Sequence, residues 1–233
     1  MRQTEPLFEL WLAFAGLLLF AAYLLLDKGI WAALLQADPT YLTALIVILF
    51  TAATVWAGVR AHELARQRRA FDEFEQSLDQ GIEPAQRWLD AQPTGVWAQA
   101  FVNGALAKGP HWRDHGKMTD LLAEQAAAPH EMAWWLNGIL LKLGLLGKVI
   151  GFSILALQLG AMDSFDAGQT ATVLKTLTGG LGIALLTTMT GLAANMLLGL
   201  QLMRLDRFAD SLTAKAIHIA ETRLQYLADP AGR

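Results

Sequence analysis

Four stretches of this chain are too long and too apolar to share one water-soluble core. They are residues 10–26 (LWLAFAGLLLFAAYLLL), 41–59 (YLTALIVILFTAATVWAGV), 134–162 and 176–203. A helix needs roughly 20 apolar residues to cross the ~30 Å hydrocarbon layer of a bilayer. The last two stretches exceed that need, which allows tilt or extension beyond the bilayer. The composition agrees: 54 % of the 233 residues are hydrophobic and only 17 % are charged, against roughly 25 % charged in a typical soluble domain. The expectation is an all-α integral membrane protein with four transmembrane helices. A cytoplasmic helical insert and a C-terminal cytoplasmic helix complete it.

The same inventory excludes several classes. There is no cysteine, so disulfides, thiol catalysis and thiolate-bound metals are ruled out. The formal net charge of −3 gives no general attraction to nucleic acid. The chain lacks the G-x-x-x-x-G-K-[ST] phosphate loop, so any energy source is not ATP bound through that motif. No nucleophile motif or triad spacing is found, and no enzyme is expected. His111 and His115 stand four apart, but Pro110 and Gly116 flank them. No metal site and no cofactor are expected. Glu5 and Glu9 beside Arg2 disfavour a cleaved signal peptide, so the first stretch is taken as a retained span.

Orientation follows the basic residues. Arg60, Arg66, Arg68 and Arg69 follow the second stretch, and Arg204, Arg207 and Lys215 follow the fourth. The turn at 27–40 offers only Lys28; that at 161–175 holds Asp163, Asp166 and, at its edge, Lys175. Both termini and the 60–131 block are therefore expected in the cytoplasm. Four parts result: a transmembrane hairpin (1–60), a helical insert (61–133), a second hairpin (134–205) and a tail helix (206–233). Within the insert, Leu64, Phe71, Phe74 and Leu78 recur near helical spacing. Gly81 and Pro84 end that helix. Short helices are expected at 85–91, 96–107 and 119–128, the last one stopping before Pro129. The tail carries Leu212, Ile219 and Leu227 on an amphipathic helix.

Polar groups inside the apolar stretches are the informative ones, because each is costly in hydrocarbon. Thr43, Thr51 and Thr54 can return their hydroxyls to the preceding turn. In the third stretch Gly144, Gly147 and Gly151, spaced three and four apart, form a flat ridge for close helix packing. Lys148 lies among them, roughly 20 Å along the axis from Trp134. It is either a snorkelling or interface lysine, or a cation that lines a pore or meets a buried carboxylate. In the fourth stretch Ala184, Thr188, Gly191 and Asn195 share one face, with Thr187 and Thr190 beside it. That face suits small-residue packing or a wettable pore lining. None of the four stretches contains Asp, Glu or His.

The segments GLLGKVIGF at 144–152 and ALLTTMTGL at 184–192 resemble the MotA/TolQ/ExbB proton-channel family. Its pore helices carry a G-L-L-G-T-V-x-G-like stretch and then A-L-x-x-T-x-x-G-L. The likeness covers about 70 residues, 134–203, and the N-terminal hairpin looks like that of the flagellar-motor branch. The resemblance implies a homo-pentamer in the bacterial inner (cytoplasmic) membrane. It further implies a single-span MotB/TolR/ExbD-like partner that supplies a membrane carboxylate, and a role as an ion-motive-force-driven channel or motor subunit. Thr188 falls on one pore threonine of the family, and Lys148 stands where the other is expected. The implied lining is Lys148, Thr188, Thr187, Ala184, Gly191 and Asn195. The alternative is a non-conducting membrane scaffold of the same fold that only binds its partner.

Overall fold

A computed structural model describes residues 7–38, 40–93, 95–106, 116–160 and 170–223. His111, His115, Asp163, Asp166 and Leu227 lie outside the described residues. The described chain is all helix: α1 (Leu7–Asp27), α2 (Ile30–Ala37), α3 (Leu42–Gln80), α4 (Ile82–Ala91), α5 (Trp97–Leu106), α6 (Gly116–Gly160) and α7 (Thr170–Thr222). Four of these, α1, α3, α6 and α7, are long and apolar enough to cross a membrane. That is the signature of a multi-pass membrane protein.

Two differences from the expected elements stand out. The turn between the first two spans holds a helix, α2. Gly29 separates it from α1 in the left-handed conformation, φ 66°, which suits a residue without Cβ. The second difference is at Pro129. The expected short helix at 119–128 does not stop there; it is the first part of α6, which runs through the proline. Likewise the tail helix is the continuation of α7.

The chain divides into two compact units, and the division falls within α1, α3, α6 and α7. One unit comprises Trp11–Ala57 and Ala133–Leu202. Its buried apolar residues include Ile46, Ala53, Leu140, Leu198 and Leu202. Its α2–α3 corner is fastened by Asp38, which is buried. One carboxylate oxygen accepts the backbone N–H of Thr40 at 2.9 Å and the other that of Thr43 at 2.7 Å. The second bond satisfies a first-turn donor of α3 that no helical carbonyl can reach. Burial pushes the Asp38 carboxyl up, but the hydrogen bonds from Thr40 and Thr43 outweigh it and hold it below its usual value. Tyr41, between these donors, takes φ 58°, a conformation that non-glycine residues seldom adopt.

The other unit comprises Met1–Leu10, Gly58–Met132 and Met203–Arg233. Leu64, Phe71 and Phe74 of α3 are fully buried, as are Leu212 and Ile219 of α7. Phe71 meets Phe101 of α5 edge to face at 6.2 Å, and Phe74 meets Trp88 of α4 at 5.4 Å. Gln67 lies on the same buried stripe. Its Oε1 accepts the backbone N–H of Trp97 at 2.9 Å, at the start of α5. Its Nε2 donates to Glu63 at 2.6 Å and to the Gly95 carbonyl at 3.4 Å. Gln99 serves the end of α4 in the same way, donating to the Leu89 and Gln92 carbonyls at 2.9 and 3.4 Å. Charge then links α3 to α7. Lys215 pairs with Asp72 and with Glu75 (2.8 Å), and Arg223 with Asp79 (2.7 Å).

Candidate functional site

The paired segments of α6 and α7 in the first unit hold every residue marked as lining or packing. Glycine decides how closely they meet. A Cβ built on Gly147 would fall 2.5 Å from the Thr187 hydroxyl, and one on Gly151 2.9 Å from the Ala184 nitrogen. A Cβ on Gly191 would fall 2.8 Å from the Gly144 Cα and 2.9 Å from the Leu140 carbonyl oxygen. These are distances at which only glycine fits. Gly144, Gly147 and Gly151 thus face Gly191, Thr187 and Ala184: backbone against backbone at Gly144 and Gly191, backbone against the Thr187 side chain at Gly147.

This contact accounts for most of the small-residue face of α7. Ala184 and Thr187 are 0 % exposed, and Gly191 is buried. Within one chain these three are covered by α6. Thr188 is half-buried; its hydroxyl lies 2.7 Å from its own Ala184 carbonyl and 3.2 Å from the Gly144 carbonyl across the interface. Asn195 Nδ2 donates to the Asn137 carbonyl at 2.9 Å. Thr190 returns its hydroxyl to Leu186 at 2.9 Å, and Thr51 to Val47 at 2.8 Å. Thr54 instead accepts Gln201 Nε2 at 3.2 Å, and Gln201 Oε1 accepts the Trp11 indole N–H at 3.3 Å.

Lys148 stands apart. It is exposed, roughly 100° round the helix from Gly147, on a surface with exposed Leu145, Val149 and Phe152. Its charge therefore lies at the edge of the glycine seam, on the outside of the helix pair. Lys142, six residues toward the cytoplasmic end by the expected orientation, is exposed as well.

No family model matches the chain, and no curated protein matches it. The chemistry must be read from the residues themselves. Among the described residues no group of three His, Asp or Glu side chains could hold a metal ion.

The second unit contains a polar cluster that the sequence did not mark. His130, on α6 directly after Pro129, is 2 % exposed. Its Nδ1 lies 2.7 Å from Asp206 Oδ1 on α7, and its Nε2 accepts Arg60 Nε from α3 at 3.4 Å. Arg60 Nη2 also donates to the carbonyls of Gln125 (2.9 Å) and Ala126 (2.8 Å). Its guanidinium lies 5.5 Å from the centre of the Trp97 ring, within cation–π range. His130 precedes the apolar stretch that starts at Trp134. Burial pushes its imidazole below the usual histidine value; the Asp206 carboxylate acts the other way without overcoming it. The one sequence signal for this cluster was a histidine beside a proline at the head of an apolar run.

Proposed function

We propose that this chain is an ion-motive-force-driven, proton-conducting channel or motor subunit. It assembles as a homo-pentamer in a bacterial inner membrane with both termini cytoplasmic. Its partner is a single-span membrane protein that carries an Asp in its span. Lys148 carries the reading. A charged amine deep in a span costs about 2.5–3.5 kcal/mol on insertion scales. The chain's own apolar stretches contain no Asp, Glu or His to offset it, and Lys148 is exposed rather than turned into the α6–α7 seam. In this reading a carboxylate from a second chain, or water in a central channel, compensates the charge. The resemblance of 144–152 and 184–192 to the MotA/TolQ/ExbB pore helices supports the same partner. One charge crossing 100 mV yields about 2.3 kcal/mol, enough to bias a single conformational step.

The second reading is a scaffold of the same fold that binds the partner and does not conduct. It is favoured by the lysine standing at a pore-threonine position, and by the burial of Ala184 and Thr187 within the single subunit.

With no native cysteine, Lys148→Cys creates the chain's sole thiol. Photocrosslinking from it in native membranes should capture a single-span protein or a second copy of the chain. Native mass spectrometry of the detergent-solubilised complex should show five copies. In vesicles holding the captured pair, an imposed potential should drive a flux that disappears when the partner's span carboxylate is removed. Thr188→Ala should lower that flux several-fold and Lys148→Thr should change it, while Leu186→Ala does neither. A captured partner without flux selects the scaffold reading. Capture of lipid alone, from a stable monomer, overturns both.

A further inference from the structure

A helix that passes through a proline must find a substitute for the missing N–H. Pro129 cannot donate to the carbonyl four residues earlier, which is that of Gln125. Arg60 makes up the deficit from α3, donating to Gln125 at 2.9 Å and to Ala126 at 2.8 Å. The continuity of α6 at this point therefore depends on a side chain from another helix.

The same guanidinium donates Nε–H to His130 Nε2. A nitrogen that accepts a hydrogen bond carries no proton. The imidazole proton is then on Nδ1, where it is donated to Asp206 at 2.7 Å. The arrangement admits the neutral ring in one tautomer. Protonation at Nε2 would turn an acceptor into a donor aimed at the N–H groups of Arg60, with a positive charge on each side. Asp206 would hold the imidazolium through Nδ1, so Arg60 is the group that leaves. The Gln125 carbonyl at the proline break then loses its donor, and the Ala126 carbonyl loses its second one.

We propose that Arg60, His130 and Asp206 form a proton-operated latch on α6: closed while His130 is neutral, and opened at Pro129 when His130 takes up one proton. Among the described residues, the charged groups that act on the ring are Arg60 on α3 and Asp206 and Asp210 on α7. Glu63, also on α3, acts on Arg60. From α5 the cluster receives the uncharged ring of Trp97. Burial first, and Arg60 after it, oppose protonation; the two aspartates favour it. The latch is independent of whether the chain conducts.

The direction follows from linkage. In the closed state the His130 value is depressed; in the open state, with Arg60 gone and Asp206 still in contact, it lies at or above the ordinary histidine value of about 6.5. Closure is therefore fully favoured above the open-state value. Below it the open fraction rises by about tenfold for each pH unit, until the depressed closed-state value is passed. Hydrogen–deuterium exchange on the full-length protein in nanodiscs, corrected for the intrinsic pH dependence of exchange, reads this directly. Amides of 130–133 should lose protection by about that factor as pH falls below 6.5, while α4 and α5 keep theirs. Asp206→Asn removes a group that favours the proton, and should move the onset to lower pH. His130→Gln should make protection in 130–133 independent of pH. Flat protection of 130–133 in the unmodified protein overturns the latch. So does simultaneous loss across α4 and α5, which is unfolding of the unit rather than opening at one point.

Discussion

In one unit the helices meet through glycine, alanine and threonine; in the other they meet through phenylalanine, leucine and paired charge. Gly147 and Gly151 bring α6 onto Thr187 and Ala184 with no room for a Cβ. Phe71 and Phe74 are buried against Phe101 of α5 and Trp88 of α4, with Leu64 buried as well, and Lys215, Asp72 and Glu75 add charge. The difference is between two ways of holding helices together. In hydrocarbon, burying a leucine gains nothing, so close backbone contact and a few hydrogen bonds hold helices together. In water, the transfer of apolar area is the main driving force, at about 25 cal/mol per Å².

That contrast can be broken most severely at Gly191. Gly191→Ala drives a methyl into backbone atoms of α6 that cannot step aside. It should cost about 3 kcal/mol, the upper part of the usual range for overpacking. Gly138→Ala, with nothing within 4 Å, should leave stability unchanged or raise it by up to about 1 kcal/mol. Thermal melts of the detergent-solubilised variants decide. Equal losses at both positions would mean that close approach is not what holds the glycine-rich unit.

The next effect tests the other unit. Arg60→Met leaves His130 Nε2 and the Gln125 carbonyl without a donor and should cost about 2–3 kcal/mol. Arg60→Lys should recover less than half, since an ammonium cannot reproduce the planar fork of donors. Limited proteolysis between Gly58 and Met132 would report it. The smallest effects belong to the α3–α7 charges. Lys215→Ala, with 14 % of its side chain exposed and two carboxylates in contact, should cost about 1 kcal/mol, and the more open Arg223→Ala under about 0.5 kcal/mol. If Arg223 matters as much as Lys215, exposure is not what ranks these pairs.

The legible parts of the molecule are those whose cause is local in the chain. An apolar run long enough to span a bilayer announces a helix by itself, and Gly81 announces its end. The spacing of Gly144, Gly147 and Gly151 marks a packing ridge for the same reason. Lys148 is conspicuous because a charge in such a run has no local explanation. The parts that were not legible rest on distant partners. Pro129 reads as a stop unless one knows that Arg60 supplies its donor. Gln67 reads as a surface residue within a charged stretch until Trp97 and Gly95 are brought to it. Helix α2 was missed for another reason: eight apolar and polar residues between Gly29 and Asp38 carry too short a pattern to separate a helix from a turn. On α7, Ala184, Thr188, Gly191 and Asn195 share a face by their spacing, but spacing alone cannot say whether another helix of the same chain covers it.

Gln67 and Gln99 have one more consequence. They tie α4 and α5 to their surroundings mainly through amide-to-backbone bonds at Trp97, Gly95, Leu89 and Gln92. Primary amides bear no net charge and do not titrate in the physiological range. Dissolved ions, which screen exposed charges beyond about 8 Å at physiological ionic strength, have little hold on such bonds. Changes in salt reach the Lys215 and Arg223 pairs and leave these two helices fastened. The hold of these bonds on α4 and α5 is thereby indifferent to dissolved salt.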